Sequence, residues 1–277
     1  MSGYLGAGIG LRGPHHAALL AGEGRPAVLE VMPDHFFARP QDLEPFAALC
    51  PLVFHDVSLS LGTVGFEDTD RLARIRALVE IGQPQLLSDH LCLSRGPLEG
   101  GFSADLGHLA PLWYTRGLLA SVSDRIKRLQ DFFGLPIAVE NITAPFAFEF
   151  ADFTEPEFFC ALVAATGCGV LLDLTNLWIN SHNLGFDPAA RLAEYPLEAV
   201  VQVHLAGGQT AQDWWVDSHA APVEEPCFAL LARLRGRAPL QSIIIERDAH
   251  LPPLAALLAE AARADEVWTT GGLSGTL

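Results

Sequence analysis

Eight short apolar runs, spread along the whole chain and each closing on polar residues, constrain this sequence more than any other feature. They are Leu5–Gly10, Ala27–Met32, Leu52–Ser58, Gln85–Leu91, Ile137–Asn141, Gly169–Leu174, Ala199–Leu205 and Ser242–Glu246. They are rich in Val, Ile and Leu, as strands buried on both faces are. Helix-compatible stretches lie between most of them: Asp70–Glu80, Tyr114–Phe133, Glu155–Thr166, Pro226–Arg237 and Pro253–Ala264, with Ser123–Asp124 of the second expected to face solvent. Alternating strand and helix predicts a parallel sheet with crossover helices. Eight such units close a (β/α)8 barrel. The expected fold is therefore α/β, a triosephosphate-isomerase-type barrel, with residues 1–277 forming one domain. The longest gap between runs holds Arg95–Leu112, rich in Gly and Pro, and reads as a lid or an extended rim loop.

Composition narrows the function. A chain of 277 residues, half of them hydrophobic, can bury a large core without staples and is not disordered. Its 33 acidic residues against 17 basic ones give a formal charge of −16, which argues against nucleic acid and anionic membranes as partners. Five cysteines, Cys50, Cys92, Cys160, Cys168 and Cys227, are odd in number and form no C-x-x-C pair. A disulfide framework or thiolate zinc site is not expected, and the usage points to the cytoplasm. The apolar stretch Tyr4–Leu11 has no basic region before it and is followed by Arg12, unlike a signal peptide. No apolar run reaches the roughly 18 residues of a membrane span.

The titratable residues fall at the ends of the runs. In order these ends give Glu30, His55, Asp89–His90, Glu140–Asn141, Asp173 with Asn176, His204, and Glu246–Arg247–Asp248. In a barrel they converge on one mouth, where the active sites of this architecture lie. A single strand histidine is usually a hydrogen-bonded core residue, and a single strand carboxylate usually pairs with an arginine. Several of both at one place need a neutralising charge, and metal ions supply it best. Imidazole and carboxylate without thiolate suit iron, manganese or zinc. His55, His90, Glu140, Asp173, His204 and Glu246 are enough for two metals if a carboxylate bridges. Asp217-Ser-His219, with Asn176, could hold a third, although D-x-H alone is equally a loop coincidence. Gly6, Gly8 and Gly10 lack the step into a helix that a dinucleotide loop needs, and read as a tight strand-end turn. Arg12 stands just past a strand end, as an anion-holding or a plain surface arginine.

Several strings together carry a resemblance over nearly the whole chain. They are GIGLR at Gly8–Arg12, HDVSLSLG at His55–Gly62, LLSDHLCLS at Leu86–Ser94, IAVENI at Ile137–Ile142, LLDLTNLWINSHN at Leu171–Asn183, VHLAGG at Val203–Gly208, VDSH at Val216–His219 and IIERDAHLP at Ile244–Pro252. The chain resembles the multinuclear non-heme iron-dependent oxidative enzymes, first catalogued as domain of unknown function 692. The resemblance implies a barrel with two or three irons of mixed ferrous and ferric state. It implies that dioxygen is used to modify a ribosomally made precursor peptide, often at cysteine, with a leader-peptide-binding partner protein. Carried onto this chain, it places one iron on Glu140, Asp173, His204 and Glu246. A second falls on His55 and His90 with Glu140 bridging, and a third on Asn176, Asp217 and His219. Asp248 matches an acid that acts in proton transfer. Two segments depart from the family pattern: Asp34–His35 stands where an acid–Asn pair is usual, and Gly107–Thr115 lacks an acidic residue.

On this reading a cysteine of the peptide binds iron as thiolate and is oxidised at its β-carbon, with Asp248 as base. A second reading is a zinc- or manganese-dependent barrel hydrolase or isomerase, of the endonuclease IV or xylose isomerase type, using metal-bound hydroxide. The charge weighs against a DNA enzyme. A third is a non-catalytic barrel that holds metal or peptide as a partner subunit.

Overall fold

The computed structural model describes residues 3–98 and 103–272. Eight parallel strands close into a barrel: β1 (Gly6–Gly10), β2 (Leu29–Val31), β3 (Leu52–His55), β4 (Leu87–His90), β5 (Ile137–Glu140), β6 (Gly169–Asp173), β7 (Val200–Leu205) and β8 (Ser242–Ile245). Each lies within one of the eight apolar runs. Closure is made by β1 pairing with β8, Gly6–Ile9 beside Ser242–Ile245, so the sheet has no free edge.

Side chains alternate across this sheet with period two. Leu29, Phe54, Leu87, Val139, Leu172, Val203 and Ile243 point outward into the large core between sheet and helices. Val28, Val53, Leu86, Ala138, Leu171 and Ile244 form a separate cluster inside the barrel. Two residues further along each of these strands the inward position is polar: Glu30, His55, Ser88, Glu140, Asp173 and Glu246, all buried. The barrel is thus an apolar plug topped by a polar layer. β1 supplies glycines instead. A Cβ on Gly8 would lie 1.9 Å from Val28 O, so only glycine lets β1 pack against β2 there. This close approach is the use of the glycine series.

The helices Thr69–Gly82, Arg116–Phe133, Glu155–Thr166, Glu225–Leu234 and Leu254–Thr270 occupy the five expected stretches. Their starts follow local chemistry: Thr115 Oγ1 accepts from Leu118 N at 3.1 Å, and Thr154 with Glu157 forms a reciprocal capping box. Ser123 departs from expectation. It is buried, as is Arg125 beside it, whereas Asp124 is exposed. The Arg125 guanidinium is drawn inward because it donates to Leu59 O at 2.6 Å and Ser60 O at 2.8 Å, fixing the loop after β3.

A further helix, Leu174–Leu184, starts directly at the end of β6, where Asp173 caps it by accepting from Asn176 N at 2.7 Å. The segment Arg95–Leu112 is not an irregular loop. Leu93–Pro97 pairs antiparallel with Ser103–Ala110 as a ribbon, although 99–102 lie outside the described residues. A second ribbon, Gln209–Ala211 with Trp214–Val216, precedes Asp217. Among the described residues no helix is long and apolar enough to cross a membrane. All five cysteines are unpaired, and only Cys160 is exposed.

Candidate metal centre

The polar layer brings the strand-end residues together. His55 Nε2 and His90 Nε2 lie 3.5 and 3.2 Å from Glu140 Oε2. His204 Nδ1 lies 3.3 Å from Glu140 Oε1 and 3.0 Å from Glu246 Oε2. Ligand-type atoms of His55, His90 and Glu140 all fall within 4.8 Å of one another, as do those of Glu140, Asp173, His204 and Glu246. Glu140 belongs to both groups, as a bridging carboxylate must.

At the rim, His219 Nε2 lies 2.7 Å from Asp217 Oδ1, and His219 Nδ1 lies 2.8 Å from Asp248 Oδ2. Asp217 and His219 are thus in contact, although the compact group at the rim is a different one. His219, Glu246 and Asp248 form their own compact group. His219 adopts φ 48°, a left-handed conformation that a non-glycine residue holds only under local constraint. Asn176 sits on the first turn after Asp173. Its Nδ2 donates to Asn141 O at 3.1 Å, leaving Oδ1 buried and unbonded.

The residues fit metal ions by a test internal to the structure. Buried polar atoms normally find partners. Here Glu140 Oε2, Asp173 Oδ2, Asn176 Oδ1, His204 Nδ1, Asp217 Oδ1 and His219 Nε2 have no hydrogen-bond partner. Several sit close to each other without the geometry of a hydrogen bond. That is what donor atoms aimed at shared cations look like.

Two further residues set the histidines, and the strand-end reading had not given either a role. Ser88 Oγ donates to Phe54 O at 3.2 Å and so accepts from His55 Nδ1 at 2.9 Å, leaving Nε2 as the lone-pair nitrogen toward Glu140. Glu30 Oε2 lies 2.7 Å from His204 Nε2 and accepts from Gln202 Nε2 at 2.6 Å. His204 therefore donates from Nε2 and turns Nδ1 to the carboxylates. A polar residue at the inward position two residues past the apolar plug is the sequence signal that marks both.

The close packing of these charges shifts their protonation. Burial works against ionised His90, but the charges of Glu140 and Asp89 outweigh it and push its pKa up to about 9. Glu140, despite burial, is held at about 2 by the three histidines around it. Burial and repulsion from Asp217 and Glu140 drive Asp173 well above the usual carboxylate range. Burial raises Asp248, but the hydrogen bond from His219 and the charge of Arg12 bring it below the usual range.

Arg12 is neither a surface arginine nor open to an anion. It is buried, its Nε donates to Asp248 Oδ1 at 2.7 Å, and its Nη2 lies 3.6 Å from Glu246 Oε1. Asp34, at the departure near β2, pairs with Arg71, which also binds Asp56. It is engaged in that ion pair.

Fold and site together define a parallel barrel whose mouth gathers histidines and carboxylates of the kind that hold metal ions. The chain belongs to the RiPP precursor modification enzymes MbnB/TglH/ChrH, a family that modifies ribosomally synthesised peptides, with residues 6–269 matched. It is 39% identical over 259 residues to a UPF0276 protein of Rhizorhabdus wittichii, covering 91% of each chain. Among solved structures it is similar to endonuclease IV from Thermus thermophilus (TM-score 0.57, 19% identity, 96% of this chain and 99% of the other). It is also similar to the 3-keto-D-glucoside 4-epimerase YcjR from E. coli (TM-score 0.56, 13% identity, 94% and 98%). At these identities the two structures show the shared barrel alone.

Proposed function

We propose that the protein is an iron-dependent oxidative enzyme that uses dioxygen to modify a precursor peptide at a cysteine, acting with a leader-binding partner protein. The observation that carries this reading is the set of unbonded, buried carboxylate, amide and imidazole atoms at one barrel mouth, in a chain of a peptide-modifying family. Glu140, Asp173, His204 and Glu246 would hold one iron. His55 and His90, with Glu140 shared, would hold a second, and Asn176, Asp217 and His219 a third. Bound iron would supply one-electron chemistry and an open position for a soft, anionic thiolate.

The chain's own residues do the rest. Ser88 and Glu30 hold the ligand nitrogens in the unprotonated tautomer. Arg12 and His219 hold the Asp248 carboxylate from two sides, its side chain 45% exposed toward solvent at the mouth. That position suits Asp248 to take a proton from the bound peptide, and its lowered pKa keeps it ionised at neutral pH. The N/O donor set equally suits a second reading, a zinc or manganese enzyme without oxygen chemistry. Coexpression with a cysteine-containing precursor peptide and its leader-binding protein separates the two. Oxidation of the peptide that requires iron and dioxygen supports the first reading. Turnover in zinc-loaded, oxygen-free protein supports the second.

A further inference from the structure

A cavity of about 420 Å3, within the range of small-ligand sites, is lined mainly by residues that follow β5 and β6 in the chain. One wall is the stretch that follows β5, from Ile142 to Phe153, and the opposite wall is the far part of the helix Leu174–Leu184. Ile142 comes two residues after Glu140. Asn180 stands one turn beyond Asn176, a rise of about 6 Å. Asn180 ties the walls together, donating to Ile142 O at 2.9 Å and accepting from Ala144 N at 2.9 Å.

The surface of this cavity is unusually apolar for an exposed rim. Phe146 and Phe148 line it and are 50 and 40% exposed, and Trp113 and Phe150, outside the lining, are 52 and 83% exposed. They are not scattered: Phe148 lies 5.3 Å from Phe146 and 6.3 Å from Trp113 by ring centroid, and Trp113 Nε1 donates to Phe150 O at 3.1 Å. A grouped, exposed aromatic patch at a cavity marks an interaction site. The polar groups in the cavity are already engaged. Glu155 accepts from Tyr114 at 3.2 Å and Tyr195 at 2.6 Å, and Asp152 accepts from Arg116 N at 2.8 Å. Glu155, inside, asks for no new hydrogen bond, so the space beside it suits a hydrocarbon or aromatic group. At the lip the carboxylates of Glu149, Asp152 and Glu157 are exposed, with Arg191 the one cation among the lining residues.

We propose that this cavity is a side-chain subsite for the peptide substrate, taking a bulky apolar residue that has a basic residue beside it. The apolar group enters between the aromatics, and the basic neighbour meets the acidic lip. The cavity wall begins at Ile142, two residues after Glu140 on the same chain segment. The proposal rests on the reading that a peptide is the substrate, but not on iron or dioxygen.

The test uses the full chain without added metal and two capped dipeptide pairs, observed by fluorine NMR. One pair is acetyl-4-fluorophenylalanyl-lysine amide and its glutamate counterpart, and the other is the same lysine probe with acetyl-alanyl-lysine amide as competitor. The lysine probe should bind in the millimolar range and the glutamate probe at least fivefold more weakly, and the alanine competitor should not displace it. Phe148→Ala should weaken binding about fivefold or more, and Ala147→Trp, which fills the cavity, should abolish it. Equal binding of both probes, binding unchanged in both variants, or no binding at all would overturn the proposal. So would a leader-binding partner that covers Trp113 and Phe148 while peptide turnover is unaffected by Ala147→Trp. Loss of iron- or oxygen-dependence leaves these readouts untouched, and so the two readings fail separately.

Discussion

Glu30 shows how much a single residue outside the ligand set can decide. It is fully buried, and its carboxylate accepts from His204 Nε2 and Gln202. Removing it frees His204 to carry its proton on Nδ1, the nitrogen that faces Glu140 and Glu246. Glu30→Ala is therefore expected to weaken metal binding about 10- to 100-fold, the usual effect of removing such a carboxylate partner. Titration with a chromophoric chelator measures it, and unchanged affinity would contradict the assignment. His90 gives a pH prediction. Its folded pKa is about 9 against an ordinary 6.5, so its proton stabilises the metal-free fold fully below about 6.5. That contribution is lost as pH rises through about 9. The metal-free protein should lose thermal stability across that window, and the metal-loaded one should not. Metal uptake at pH 7 should also release protons, because the ligating imidazole is neutral. Calorimetry in two buffers of different ionisation enthalpy reads both effects.

At the scale of elements, the strands were legible because the apolar runs are short, mostly rich in Val, Ile and Leu, and bounded. All eight lie where the runs do, and the polar residues at their ends meet. What strand ends alone did not reveal is the layer rule. The inward positions two residues past the apolar plug include Ser88 and Glu30, which orient ligands. Gln202 on β7 lies one layer deeper, level with Leu171 of the plug, and donates to Glu30. Arg12 was not legible either, since pairing with Asp248 depends on β1 and β8 closing the barrel, a contact 236 residues apart in sequence. The ribbon at Leu93–Ala110 escaped because Gly and Pro blur its pattern, and the helix after Asp173 because no loop separates it from β6. Gly8 belongs to this scale. Gly8→Ala pushes a methyl into Val28 O and should cost about 2 kcal/mol or more, lowering Tm by roughly 4–8 °C. An unchanged melting curve would show that β1 and β2 can separate there.

For the molecule as a whole, the formal charge of −16 counts acids that are not surface charges. Glu30, Glu140, Asp173 and Glu246 are buried in the barrel, where histidines and bound cations would balance them. The charge presented to solvent by the metal-loaded protein is less negative than the count, so composition alone excludes polyanionic partners less firmly than the bare number implies. The barrel gathers the metal-type residues at one mouth, and the proposed subsite begins two residues past Glu140. On the proposed function a peptide would reach both. The most direct test of that account is metal analysis of protein prepared without oxygen, beside His55→Ala and His204→Ala variants of confirmed fold. The account predicts at least two irons per chain in the wild type, with His204→Ala and His55→Ala each losing at least one. A wild type that holds no iron after anaerobic reconstitution, or variants that hold as much as the wild type, would contradict it.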